Sequence, residues 1–221
     1  MFNLNNCLIS WLYKRSMSID KKDHIIKKAV ELIAEKGFEG SSIRALAAKA
    51  EVNIAMVNYY FGSKEKLFEA LVEKRALFMS QFIENVISNK SLQPLEQLNR
   101  IIEGYIIRFL ADPKYHRVLQ QELLITQREQ MHEKVIALIS KNALEIIQII
   151  KKGIRSKDFN RVDPEMVFAT ILGTISQVLM SKTLCLKIMN KPDDYDPYSD
   201  KKFQKRLTKH IQQMIHSHLI K

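Results

Sequence analysis

Two short helical segments separated by three residues constrain the fold of this chain more than any other feature. They lie in the stretch SSIRALAAKAEVNIAMVNYYFGSKEK, which runs from Ser41 to Lys66. In segment 43–50 apolar side chains recur at i, i+3, i+4 and i+7, which is the spacing of one face of an α-helix. Residues 51–53 are too few for anything but a tight turn, and a second helix is expected over 54–60. The pattern predicts a helix-turn-helix.

Polar residues stand where each of these helices should begin. Ser42, or Ser41, can accept a hydrogen bond from the free N–H groups of the first helix, and Asn53 can do so for the second. Ser63 can cap a third helix that starts at Lys64. These caps predict the helix boundaries independently of the apolar spacing.

The second helix is expected to bury Ile54, Val57 and Phe61 and to leave its other side free. In helix-turn-helix proteins this helix enters the DNA major groove, where amides pair with adenine, apolar groups touch thymine methyls and hydroxyls reach phosphates. A lysine in the first turn of the next helix favours a phosphate, because its charge adds to that of the helix N-terminus. The candidate DNA-contacting residues are Ser42, Arg44, Asn53, Ala55, Met56, Asn58, Tyr59, Tyr60 and Lys64.

The residue types within this stretch match a known family in register. The strings SIRxLA, VN and YYFGSKEKL, which begin at Ser42, Val52 and Tyr59, resemble the TetR family of bacterial transcriptional regulators over residues 22–72, about a quarter of the chain. One position departs from the family pattern, since Glu51 stands where the family usually has glycine. Glycine suits a left-handed backbone there, and glutamate adopts that conformation only at some cost.

Three alternatives remain open beside a sequence-specific regulator. The same spacing fits a helical hairpin whose aromatic side chains fill a core. A basic helical dimer could also bind DNA with little sequence preference, as an architectural protein does, or could have lost DNA binding and act through a partner. Contacts made only to phosphates would lose affinity uniformly across sequences, whereas base contacts would not.

Composition narrows the class of protein. The formal net charge of +11 suggests a polyanionic partner, and 46% hydrophobic residues suffice for a core. Only Cys7 and Cys185 are present, so no disulfide framework or cysteine zinc site is expected, which suits the reducing bacterial cytoplasm. No apolar run approaches the roughly 18 residues of a membrane span.

The remaining pattern predicts an all-α chain, with an N-terminal three-helix helix-turn-helix DNA-binding domain and a C-terminal helical bundle. A first helix is expected over 21–36, with Gly37 after it, and a long helix over 64–88. Asp112-Pro113 and Asp163-Pro164 each place a cap before a proline at the first helical position. Further helices are expected over 94–110, 114–129, 131–156, 164–189 and 200–219.

Three segments follow from this pattern. Residues 1–16 are expected to be a disordered extension or to precede the native start, with docking of Trp11 on the domain or on DNA as the alternative. Residues 17–74 are the expected DNA-binding domain, and 75–221 the expected ligand-binding and dimerisation domain.

The resemblance implies that the C-terminal half binds a small-molecule inducer and forms a homodimer that reads a palindromic DNA operator. A seam of mostly small side chains and an apolar stripe on the last helix are the candidate dimer interface, although the seam could equally pack within the chain. Those residues are Ala169, Gly173, Ser176, Met180, Ile211, Met214 and Ile215. The candidate ligand-pocket residues are Tyr105, Phe109, His116, Gln121, Met131, Phe168 and Gln177.

Catalysis, metals and cofactors are not expected. The sequence has no P-loop, G-x-S-x-G or H-E-x-x-H motif. His216 and His218 should point to opposite sides of their helix, so they cannot share a metal ion with His210. The acidic loop around Asp193 lacks the spacing and the glycine of an EF-hand and is expected to be solvated.

Overall fold

The computed structural model describes residues 21–125 and 128–220, so the expectations for residues 1–16 and Trp11 lie outside it. Within those residues the chain is helical and contains no strand, which confirms the all-α fold. The helices are α1 (21–36), α2 (Ile43–Lys49), α3 (Ile54–Phe61), α4 (Lys64–Ser88), α5 (Pro94–Ala111), α6 (Pro113–Leu123), α7 (Glu129–Arg155), α8 (Pro164–Met180), α9 (Lys182–Ile188) and α10 (Lys201–Leu219).

The helix starts coincide with the predicted caps. Ser42 Oγ accepts from the backbone N–H of Ala45 at 3.1 Å. Asp112 and Asp163 cap α6 and α8 in the same way, and a proline follows each of them at the first helical position. Local side-chain chemistry therefore determines these boundaries.

Two predicted helices differ from the observed ones. The helix expected over 114–129 ends at Leu123, and the helix expected over 164–189 is broken into α8 and α9, which bend by 95°. At the break Ser181 leaves the helical conformation, with φ −134° and ψ 85°, and its hydroxyl accepts from the N–H of Leu184. A serine that caps a new helix thus ends the old one.

Among the described residues no single helix is long and apolar enough to cross a membrane. Within the part of the chain that the structure describes, only the bent pair α8 and α9, taken together, has the length and composition of such a span.

The chain forms two compact units, and the division falls between Leu71 and Val72, within α4. In the first unit Phe38 is 3% exposed and packs edge-on against Phe68, with ring centroids 5.7 Å apart. Other buried side chains of this unit are Ile25, Ala29, Ile33, Leu46, Ala47, Val57, Phe61, Leu67 and Leu71. This core holds α2 and α3 in their mutual orientation.

In the second unit α5 lies against α7 and α10, and α8 lies against α6, α7 and α10. The core includes Ile211 at 0% and Ile215 at 2% exposure, so the expectation that both residues lie in a dimer interface is wrong. The apolar stripe of α10 covers the chain's own α5 and α8 instead. An apolar stripe shows that a helix face is buried, but not by which partner.

Candidate nucleic-acid interface and ligand cavity

Helix α3 buries one side and exposes the other. Val57 and Phe61 are buried, as expected, whereas Ile54 is 40% exposed at the open start of the helix, contrary to expectation. On the opposite side Tyr59 is 84% exposed. Ala55 and Asn58 are also exposed, and Met56 and Tyr60 are half-buried.

The capping residues keep hydrogen-bonding capacity toward a ligand. Asn53 Oδ1 accepts from the N–H of Ala55 at 2.9 Å, so its amide nitrogen remains a donor. The hydroxyl proton of Ser42 is likewise not used in its cap to Ala45. Arg44, on the first turn of α2, is exposed. Donors at the start of both helices can therefore contact phosphates.

The turn between α2 and α3 retains the left-handed residue that the family pattern assigns to glycine. Glu51 adopts φ 55°, and its N–H donates to the carbonyl of Ala48 at 3.2 Å. The next N–H, of Val52, donates to Ala47 at 3.0 Å. Glu51 thus adopts the strained left-handed conformation, and the turn keeps its hydrogen bonds.

Lys64 differs from the expectation of a side chain directed at phosphate. Its ammonium donates to the carbonyl of Phe38 at 2.9 Å and lies 4.3 Å from the centroid of the Phe38 ring. Glu39 Oε2 is 3.5 Å away, and the lysine side chain is 19% exposed. These contacts tie the start of α4 to the loop after α1, which gives Lys64 a structural role.

The second unit contains a cavity of about 290 Å³, lined by residues of α4 to α8. Four of the seven predicted pocket residues line it: Tyr105, Phe109, His116 and Phe168. Gln121, Met131 and Gln177 do not, because the glutamines point to solvent and the methionine is buried elsewhere.

Aromatic rings form one wall of the cavity. Tyr105 and Phe109 meet edge to face with centroids 5.3 Å apart, and the rings of Phe109 and His116 are 4.4 Å apart. Burial raises the pKa of Tyr105 and Tyr115, so both phenols stay protonated. Burial lowers the pKa of His116 to about 4, so its imidazole is neutral at neutral pH.

Charged and amide residues that the sequence analysis missed also line the cavity. Arg75 forms an ion pair with Asp112 and lies with its guanidinium carbon 4.9 Å from the centroid of the Tyr115 ring. Arg108 and Asn142 also belong to this polar part of the lining. The helical periodicity placed these residues on helices, but it could not show that α4, α5 and α7 converge.

The candidate seam on α8 is mostly open. Ala169, Gly173 and Met180 are exposed, and a Cβ atom added to Gly173 would meet nothing within 4 Å. Ser176 is partly turned inward, since its Oγ lies 3.2 Å from Nε2 of His116. On α10 Met214 is half-buried against the core.

No group of three or more His, Cys, Asp or Glu side chains that could hold a metal ion occurs within residues 21–125 and 128–220. His210, His216 and His218 are exposed. In the acidic loop, Asp200 instead caps α10 and accepts from the hydroxyl of Tyr195. Asp193 and Asp194 are exposed.

Comparison with known proteins finds matches in both the N-terminal and the C-terminal part of the chain. The sequence model of the bacterial regulatory proteins of the tetR family matches residues 25–71, and that of the tetracyclin repressor-like C-terminal domain matches residues 91–180. The fatty acid metabolism regulator protein of Bacillus subtilis is 30% identical over 166 residues, which cover 71% of this chain and 82% of that protein. The regulator YttP of the same organism is 41% identical over 87 residues, or 39% of this chain and 42% of that protein.

Solved structures show the same fold. The transcriptional regulator FadR from Bacillus subtilis, solved in complex with stearoyl-CoA, superposes with a TM-score of 0.68 at 23% identity, covering 88% of this chain and 97% of that one. Together with the matched sequence models, these findings identify the chain as a member of the TetR family of bacterial transcriptional regulators.

Proposed function

We propose that this regulator is a ligand-responsive repressor, which binds a palindromic operator as a homodimer and is released from DNA by a small-molecule inducer. The observation that carries the proposal is the exposed side of α3. Asn58 and Tyr59 project from this helix, which is held in place by its capped ends and by a buried core. A helix presented in this way fits the major groove.

Within α3 the proposed base-reading residues are Ala55, Asn58 and Tyr59, with Met56 contributing from its half-buried position. Ser42, Arg44, Asn53 and Tyr60 are proposed to contact phosphates. Lys64 is left out of this set because its ammonium is held by Phe38. The proposed DNA-binding domain comprises residues 17–74, and the proposed ligand-binding and dimerisation domain 75–221.

Dimerisation supplies what one short helix lacks. A single helix-turn-helix reads few bases, whereas a two-fold dimer reads two half-sites spaced by about one helical turn or a multiple of it. The open stripe of α8, with Ala169 and Gly173 at its middle, is the surface we propose for pairing. Ile211 and Ile215 are excluded from it by their place in the core.

Ligand response is proposed to pass along α4. This helix begins at Lys64, directly after the reading helix, and its residues Arg75, Ala76 and Met79 line the cavity. A ligand that favours one arrangement of these residues would shift the equilibrium toward a different spacing of the two reading helices. That shift in free energy cannot exceed the difference in the ligand's affinity for the two arrangements. The FadR structure from Bacillus subtilis, solved in complex with stearoyl-CoA, supports a small-molecule ligand for a regulator of this fold. A regulator of this kind acts in the bacterial cytoplasm.

Fluorescence anisotropy on DNA from upstream of the protein's own gene tests the proposal, with a scrambled duplex as control at two salt concentrations. We expect a preference for the upstream DNA of about a thousandfold or more. Asn58→Ala should weaken that binding by about 1–3 kcal/mol. The matched variant Asn85→Ala, at an exposed position of α4 outside the reading helix, should not.

One result would contradict the proposal, and a second would narrow the set of base-reading residues. Equal and steeply salt-dependent binding to both duplexes would favour an architectural protein, which the net charge of +11 would also suit. Unchanged affinity in Asn58→Ala would remove this residue from the base-reading set.

A further inference from the structure

The cavity contains two buried polar atoms that no described residue satisfies. His116 is 1% and Asn142 5% exposed, and Nδ1 of the histidine and Oδ1 of the asparagine have no hydrogen-bond partner among the described residues. Both side chains line the cavity. Because buried polar atoms are nearly always paired in folded proteins, these two indicate atoms of a ligand.

The orientation of both side chains is fixed by their other ends. Asn142 Nδ2 donates to the carbonyl of Ala76 at 3.0 Å, and that carbonyl can only accept. Nε2 of His116 lies 3.2 Å from the hydroxyl of Ser176, which can donate or accept. Asn142 therefore requires a donor from the ligand, and His116 can take either a donor or an acceptor. A hydroxyl group can serve as a partner for either atom.

A second part of the lining carries an excess of positive charge. Arg75 is paired with Asp112, whereas Arg108 has no carboxylate within 4 Å among the residues that the structure describes. The guanidinium carbon of Arg108 lies 4.6 Å from the centroid of the Phe78 ring. Burial and the nearby Arg75 lower the pKa of Arg108, and the nearby Asp112 opposes this shift only in part. Two guanidinium groups and one carboxylate favour an anionic group on the ligand.

The walls of the cavity limit the rest of the ligand. Between the polar groups the walls are apolar and include the rings of Phe109 and Phe168. The cavity thus fits a hydrocarbon or aromatic body.

We infer that the effector is a small hydroxylated monocarboxylic acid with an apolar body, whose carboxylate lies against Arg108 and whose hydroxyl bonds to the orphaned atoms of His116 or Asn142. This inference rests on the proposed function, because it names the ligand class of the proposed effector site. The charged group distinguishes this class from neutral apolar ligands. The free carboxylate distinguishes it from an acyl-CoA, in which that carboxyl group is a thioester.

Calorimetric titration with a matched panel tests the inference. The probes are 3-hydroxybenzoate, 4-hydroxybenzoate, 4-hydroxyphenylacetate and 4-hydroxycyclohexanecarboxylate, each with its amide and its hydroxyl-free parent acid, together with octanoyl-CoA and stearoyl-CoA. At least one hydroxy acid should bind about tenfold tighter than its amide and than its parent acid. Binding of none of these acids, or tighter binding of the amides or CoA esters, overturns the inference.

Variants locate the binding. Arg108→Gln should remove the preference for the acid over its amide, and Ala143→Phe, which fills the cavity, should abolish binding while circular dichroism stays unchanged. The control Arg161→Gln, at an exposed position outside the cavity, should bind as the parent protein does. A preference for the acid that survives Arg108→Gln refutes the proposed orientation. Anisotropy without ligand in the same samples separates the two proposals, since specific DNA binding without any probe binding contradicts only the ligand class.

Discussion

The substitution Gly173→Leu should stabilise the folded chain and weaken the proposed dimer. Gly173 lies within α8, and a Cβ atom built on it meets nothing within 4 Å in its own chain. Leucine is therefore tolerated by the monomer and improves helix propensity over glycine by about 0.8–1 kcal/mol. If α8 packs closely on its counterpart in a second copy, the same side chain must instead be forced into the interface.

The expected magnitudes have opposite signs. The free energy of unfolding of the isolated chain should rise by about 1 kcal/mol. The dimer should weaken by at least about 1.4 kcal/mol, or tenfold in Kd, because overpacking a close contact costs about 1–3 kcal/mol.

Sedimentation velocity over a dilution series measures the dimer, and urea unfolding at the lowest concentration measures the chain. Gln148→Leu, at an exposed position of α7, is the control for adding an exposed leucine to a helix and should leave the dimer unchanged. A Gly173→Leu protein that dimerises as tightly as the parent would refute the assignment of α8 to the interface.

Three further outcomes follow from single side chains. Lys64→Met should lower the free energy of unfolding by about 1–2 kcal/mol, because it removes the hydrogen bond to the Phe38 carbonyl. The salt dependence of DNA binding should stay unchanged. A salt slope reduced by about one would instead place Lys64 on a phosphate. Gly153→Ala should destabilise by about 1–3 kcal/mol in thermal unfolding despite better helix propensity, because the added Cβ would lie 2.3 Å from the Phe159 ring; a stabilised variant would contradict that close approach. Burial lowers the pKa of His116 to about 4, so as the pH falls the imidazole is protonated in the unfolded chain before it is protonated in the folded chain. The free energy of unfolding present above about pH 6.5 should therefore fall by up to about 3 kcal/mol as the pH drops toward 4. His116→Asn should lose this part of the pH dependence in urea titrations, and an unchanged pH profile would show that the imidazole is not held neutral.

Local signals predicted the boundaries of most helices, because a cap acts within a few residues of itself. Asn53 and Asp163 accept the N–H groups that their positions required, and α4 spans the expected residues. The break at Ser181 was missed, since serine is tolerated within helices and its side chain competes with the backbone only in some surroundings.

Long-range packing could not be predicted in the same way. The stripe of α10 was expected to meet a second chain, but Ile211 is fully buried within this one. Helical spacing likewise put Tyr105 and His116 on plausible faces, whereas Arg108 and Asn142 became part of the cavity only through the convergence of separate helices. Periodicity gives the direction of a side chain on its own helix and carries no information about what stands opposite.

The exposed stripe of α8 contains no charged side chain between Met166 and Met180. Pairing through such a surface depends on burial of apolar area, which added salt does not weaken, whereas contacts to phosphates weaken steeply as salt rises. Pairing of the subunits and binding to DNA therefore respond differently to the ionic strength of the cell. If the chain pairs through α8 as proposed, a rise in intracellular salt would detach the protein from DNA as an intact dimer. Its return when the salt falls would then be limited by the search for the operator and not by reassembly of subunits.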